Sequence, residues 1–157
     1  MRKAFNCFDR ALKVLLTVMA IAMIVIGFMQ VFFRFVLKSP LTWSEEMIRY
    51  IFVWTTFLGV PVGVARNGHA SFDILQKKVP EKHQRGYQTL LLVLAGIMFV
   101  ALVVLGVPFA QKNATQMTPA MHIPYAYVIA AVPTGGAVGV LYVIHCICEL
   151  YRKKGDE

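Results

Sequence analysis

Four apolar blocks, at about 14–33, 45–64, 89–110 and 125–148, dominate a chain of only 157 residues. Each is long enough to cross a bilayer, whose hydrocarbon core takes about 20 apolar residues at 1.5 Å of helical rise each. A backbone in hydrocarbon must satisfy its own polar groups, so each block is read as a helix. The longest remaining gap, Ala65 to Gln88, is too short for a soluble domain. The expected fold is an all-α integral membrane protein, in which residues 1–157 make a single four-helix membrane domain.

The first block begins like a secretory signal, with Arg2, Lys3, Arg10 and Lys13 before it and Ala20-Ile21-Ala22 resembling a cleavage site. Its apolar run continues through Met23 to Phe33, enough to span the membrane, and is read as an uncleaved signal anchor. Orientation follows from Lys and Arg. Both tails and the loop carrying Arg66, Lys77, Lys78, Lys82 and Arg85 are basic, whereas the opposite loops hold only Arg34, Lys38 and Lys112. Both termini are therefore expected on the cytoplasmic side. The net charge of +8 belongs to these short flanks, which argues against a nucleic-acid partner. Cys7, Cys146 and Cys148 fall near the expected cytoplasmic face and are read as inert thiols.

The sequence Trp43-Ser44-Glu45-Glu46-Met47-Ile48-Arg49-Tyr50 puts charge at the start of the second span. Such charge has to pair, snorkel to the interface or face other protein. Thr42 and Glu45 fit a capping box, and acids in a first helical turn suit the helix dipole. Arg49 opposes that dipole and lies a turn nearer the hydrocarbon, so it is expected to pair with Glu45 at i−4 or Glu46 at i−3, the remaining acid going to Arg34 or to another chain. Trp43, Met47, Tyr50 and Trp54 form an aromatic and apolar stripe alongside. Interfacial belt with capping, and a protein-contacting patch, both remain open on these residues alone.

Gly59 and Gly63 flank Pro61 in the second span, and Gly135 and Gly139 repeat the spacing in the fourth, just after Pro133. Small residues so spaced let helices approach closely, either spans two and four within the chain or another subunit. Pro61 frees a backbone carbonyl and is expected to bend its helix. In the basic loop, Phe72, Leu75 and Val79 share a helical face with lysines toward the other side. A short amphipathic helix at the membrane interface is expected there, preceded by Arg66 and His69, with Asp73 one turn from His69. Two such side chains do not make a metal site. The external loop Gln111 to Ile123 is polar and nearly uncharged, with Met117, Met121 and His122 as its adhesive members.

There is no Walker-type loop, no zinc-spaced cluster, no nucleophile with a base and no acid deep in a span, so an enzyme is not expected. Nor are there the broken or paired polar helices of a carrier. The order Arg34, Trp43-x-Glu45-Glu46-x-x-Arg49, Phe57-Leu58-Gly59, Arg66-x-Gly68-His69 and Asp73 resembles the small membrane subunit of the tripartite ATP-independent periplasmic (TRAP) transporters. Pro124, Pro133 and Gly135 extend the resemblance over essentially the full chain. It implies a three-part system in the bacterial inner membrane: a periplasmic binding protein, a large membrane subunit that holds substrate and sodium, and this scaffold. The substrates it implies are organic acids such as C4-dicarboxylates or sialic acid, with no cofactor. It also implies that Trp43, Glu45, Glu46, Arg49 and Tyr50, with Arg34 as a further member, meet the large subunit. Three other readings stand beside it: a haem-holding redox anchor using His69 and His145, a small multidrug exporter, and a general assembly factor. The exporter is weakened because residues 14–33 contain no acid.

Overall fold

The computed structural model describes residues 2–70 and 81–152, with side chains described for 5–65 and 86–152. Its elements are α1 (Arg2–Phe35), α2 (Thr42–Ala70), α3 (Glu81–Lys112), a short α4 (Ala126–Ile129) and α5 (Ala131–Arg152). Four helical segments are long and apolar enough to span a membrane, Phe5–Phe35, Thr42–Ala65, Gly86–Lys112 and Ala126–Arg152. The protein is thus an all-helical, multi-pass membrane protein. The helices outrun the apolar blocks, because hydrogen bonding continues beyond the hydrocarbon as long as local propensity allows. Arg66 and His69 accordingly lie on the continuing α2 backbone, while the expected interfacial helix with Phe72, Asp73 and Leu75 falls outside the described residues.

Packing is pairwise in a row. α1 packs on α2, α2 on α5 and α5 on α3, with α2 and α5 inside the row and α1 and α3 at its ends, and the first turns of α1 also reach α5. None of the most apolar stretch of α1 is buried, whereas 44% of that of α5 is. A row leaves two end helices and two flat sides to be covered by lipid or by another protein.

The centre of the row is held at backbone level. Pro61 sits inside α2 and has no N–H for the carbonyl four residues back, which is that of Phe57. Gly135 of α5 lies directly on this carbonyl; a Cβ there would collide with Phe57 O. On the other side of α5, a Cβ on Gly136 would come within 2.8 Å of Phe99 O of α3, and one on Gly139 would enter the Phe99 ring. Of the two expectations for Gly59 and Gly63, packing on the α5 glycines is not seen: among the described residues no other part of the chain stands within 4 Å of a Cβ at either position. The reason is rotational. Phe57 turns toward α5, and steps of 100° per residue carry Gly59 and Gly63 off that contact. Two further close approaches had no sequence signal. Gly106 of α3 lies under Pro133, where a Cβ would be 2.9 Å from Pro133 Cδ, and Gly96 faces Val143. Pro133 also lacks the N–H that Ile129 O would receive, and the helix is interrupted there between α4 and α5.

At the end of the row where α1 begins, Leu12, Leu58, Val62 and Tyr142 form the buried core, with Phe5, Leu16 and Trp54 packed against it. Tyr142 Oη donates to Asp9 Oδ1 at 2.8 Å, and Lys13 pairs with the other oxygen of Asp9. Phe5 is stacked on His145 with ring centroids 3.7 Å apart and meets Tyr142 edge-on. His145 is thereby engaged in helix packing. Among the described residues, Thr55 Oγ1 is covered and has no hydrogen-bond partner.

Thermal unfolding in detergent micelles separates these sites. Gly135→Ala is expected to lose about 1–3 kcal/mol by overpacking, while Gly59→Ala keeps or gains stability, by up to about 1 kcal/mol of helix propensity. Thr55→Val, which removes an unpaired hydroxyl at nearly constant shape, is expected to gain about 1 kcal/mol.

Candidate functional site

The sequence around residues 42–54 becomes a two-sided structure because successive α2 residues turn by 100°. The chain leaves α1 through Lys38, in the left-handed region at φ 51°, with Ser39 N–H donating to Phe33 O at 3.1 Å. The first turn of α2 is closed by Ser44, whose Oγ donates to Leu41 O at 2.7 Å. The Thr42–Glu45 capping box does not form. Glu45 Oε1 instead accepts from Gln30 Nε2 at 3.0 Å, tying the end of α1 to the start of α2.

Glu46 turns the opposite way and is buried, at 7% exposure. Its Oε2 accepts two successive backbone N–H groups, from Ala120 and Met121, each at 2.8 Å. Its Oε1 accepts from the Tyr50 hydroxyl, and the Thr118 hydroxyl is a further partner. The loop between α3 and α4 is built round this carboxylate. Thr118 N–H donates to Ile123 O at 2.9 Å, Ile123 N–H to Thr118 Oγ1 at 3.1 Å, and Tyr125 N–H to Gln116 O at 2.8 Å. Met117 and Pro124 form a single bridge, and His122 takes a left-handed φ of 53°. Two N–H groups converging on one anion form a nest, the backbone's own way of holding a negative charge. One turn further, Trp54 Nε1 donates to Tyr127 O at 3.1 Å, so Tyr50 and Trp54 extend the same inward face.

Arg49 is exposed and makes no ion pair among the described residues. The expected partnership with Glu46 fails because two fixed N–H donors and two hydroxyls already fill that carboxylate. Glu45 shares the outward side but is held by Gln30. Glu46 and Tyr50, expected at a subunit interface, are instead used inside the chain. Trp43, at 38% exposure, and Arg34, in the last turn of α1 with its guanidinium 5.8 Å from the Phe35 ring, remain exposed. A cation at a helix C-terminus is favourable there without any partner. Ser44, Thr118 and the loop amides escaped sequence reasoning. The Thr118-Pro119 dipeptide was the one available turn signal, and nothing local pointed it at Glu46. With its carboxylate saturated by donors, the cluster is built to hold structure and not to move protons.

The family model of the DctQ component of tripartite ATP-independent periplasmic transporters matches residues 23–154. This chain belongs to that family. It is 26% identical over 152 residues to the sialic acid TRAP transporter small permease protein SiaQ of Vibrio cholerae, covering 97% of this chain and 86% of that one. It is 28% identical over 101 residues to the C4-dicarboxylate TRAP transporter small permease protein DctQ of Rhodobacter capsulatus, covering 62% and 44%. A sialic acid TRAP transporter permease protein, SiaT of Haemophilus influenzae, is 28% identical over 104 residues, which are 66% of this chain but 17% of that much longer one. The α2 cluster therefore lies in a small permease subunit of a TRAP transporter, and family members of this kind are transporter subunits, not enzymes.

In this subunit, Glu46→Ala is expected to leave two amides and two hydroxyls without their acceptor. Hydrogen bonds to a charged group are worth about 1.5–3 kcal/mol each, so exchange of the Ala120 and Met121 amides should rise by about 10- to 100-fold, measured by hydrogen–deuterium exchange.

Proposed function

We propose that this chain is the membrane scaffold on which a large permease subunit is held during sodium-coupled, binding-protein-dependent uptake of an organic acid. The carrying observation is the family match over residues 23–154, joined to a cluster whose buried acid is satisfied within the chain while its cation makes no ion pair among the described residues. SiaT supports a membrane-embedded partner. The segment similar to this chain occupies a small part of a permease polypeptide, so the two parts work side by side in one bilayer. The printed substrates of the small-subunit relatives, sialic acid and C4-dicarboxylate, are both carboxylates, which supports an organic acid here. Substrate and sodium are assigned to the large subunit, and the periplasmic binding protein delivers the substrate.

The Lys and Arg distribution supports an inner-membrane subunit with both termini in the cytoplasm, which leaves the α1–α2 turn and the loop around Thr118 facing the periplasm. Trp43, Glu45 and Arg49, with Arg34 beside them at that border, are proposed to meet the large subunit. Arg66, His69, Phe72, Asp73 and Leu75 are proposed to lie at the inner lipid surface.

Sodium-driven uptake of a labelled organic acid into vesicles should require this chain, the large permease and the binding protein together; uptake that persists without this chain overturns the scaffold role. Arg49→Ala should reduce copurification of the large permease by about tenfold or more, since a desolvated pair that loses one partner costs about 3–5 kcal/mol. An unchanged yield removes Arg49 from the interface.

A further inference from the structure

The outer surfaces of the row differ in chemistry. The exposed positions of α1 include Val18, Ile21, Val25 and Phe28, and those of α3 include Leu94, Ile97, Val104 and Leu105; these are hydrocarbon side chains, suited to lipid. The outward face of α2 is of another kind. Glu45, Arg49, Phe52 and Thr56 are exposed along it, and Gly59 and Gly63 continue it with no neighbour within 4 Å of a Cβ position. The steps between these residues are 4, 3, 4, 3 and 4, the alternation that keeps one seam of a helix facing a second helix. Eighteen residues of rise make the seam about 27 Å long, nearly the depth of the hydrocarbon core.

We propose that this face of α2 is the seat of one transmembrane helix of the large permease, which lies along the seam from Arg49 to Gly63. The inference rests on the scaffold reading above and adds the surface and the mode of contact. Lipid is a poor occupant. Acyl chains gain little from a bare glycine surface, whereas a polypeptide helix brings a backbone close to Gly59 and Gly63 and carboxylate or carbonyl oxygens to Arg49 in place of the headgroup oxygens to which it would otherwise have to snorkel. Arg49 carries the charge complementarity: it makes no ion pair among the described residues, on a helix whose other outward neighbours are a bound Glu45, a phenylalanine and a threonine. The SiaT polypeptide, in which the matching segment is part of a permease, argues for the permease over a second copy of this chain.

The test uses this chain coexpressed with its large permease. A photo-crosslinking amino acid at Thr56 should give an adduct with the permease, and the same group at Val104 should not. Gly59→Leu combined with Gly63→Leu should lower copurified permease by tenfold or more without lowering the thermal unfolding temperature of this chain alone, because no other described part of the chain crowds either position. An adduct at Thr56 with lipid only, or with a second copy of this chain, overturns the seat. So does full copurification by the double variant. If the unsubstituted chain captures no permease, the scaffold reading itself falls, and the two failures are told apart by that control.

Discussion

The contact of α5 with its two neighbours is the constraint on which the rest of this molecule depends. Three glycines on one helix, Gly135, Gly136 and Gly139, admit α2 on one side and α3 on the other at distances that any side chain would forbid. The α2 contact falls on Phe57, whose carbonyl has lost its helical donor to Pro61. An unpaired carbonyl in an apolar surrounding is costly, and the close approach of the Gly135 backbone gives that oxygen a weakly polar C–H neighbour. A proline in one helix and a glycine in another are thus two halves of one contact. With α5 fixed between α2 and α3, α1 packs along α2 and reaches α5 through its first turns, at Phe5 and Asp9, and the helices form a row that is closed in at that end.

A row has consequences for the charges at its border. α2 lies between α1 and α5, so one of its sides faces the loop between α3 and α4 and another faces outward. Glu46 falls on the first and becomes the anchor of the loop; Arg49, three residues on, falls on the second. The pairing that helical spacing permits loses to the pairing that the loop offers, because backbone N–H groups already held in a turn give a carboxylate fixed, convergent donors with no long side chain to order. The loop between α3 and α4 is correspondingly well bonded.

Much of the architecture was legible because bilayer thickness converts directly into a count of apolar residues. Four spans and their order follow from the lengths of the blocks. Chemistry at the border was legible as a place, since two acids and an arginine beside tryptophan are conspicuous in an apolar chain. What each residue does there was not. Glu46 finds partners 74 and 75 residues away, and no local pattern records such a distance. Gly59 and Gly63 match the spacing of close-packed helices as well as Gly135 and Gly139 do, yet among the described residues no other helix comes within 4 Å of a Cβ there. Spacing specifies a face of a helix, and the neighbour on that face is set by how the other helices are arranged.

By itself the sequence determined that the chain is helical and membrane-spanning, and through its motif which family it belongs to, because hydrocarbon thickness and backbone hydrogen bonding leave few alternatives to a run of 20 apolar residues. Tertiary structure decided the row, the division of the α2 cluster into an inward acid and an outward cation, and the role of each glycine. These depend on the rotation of one helix relative to another. Rotation is settled by contacts between distant residues, which a linear pattern does not contain.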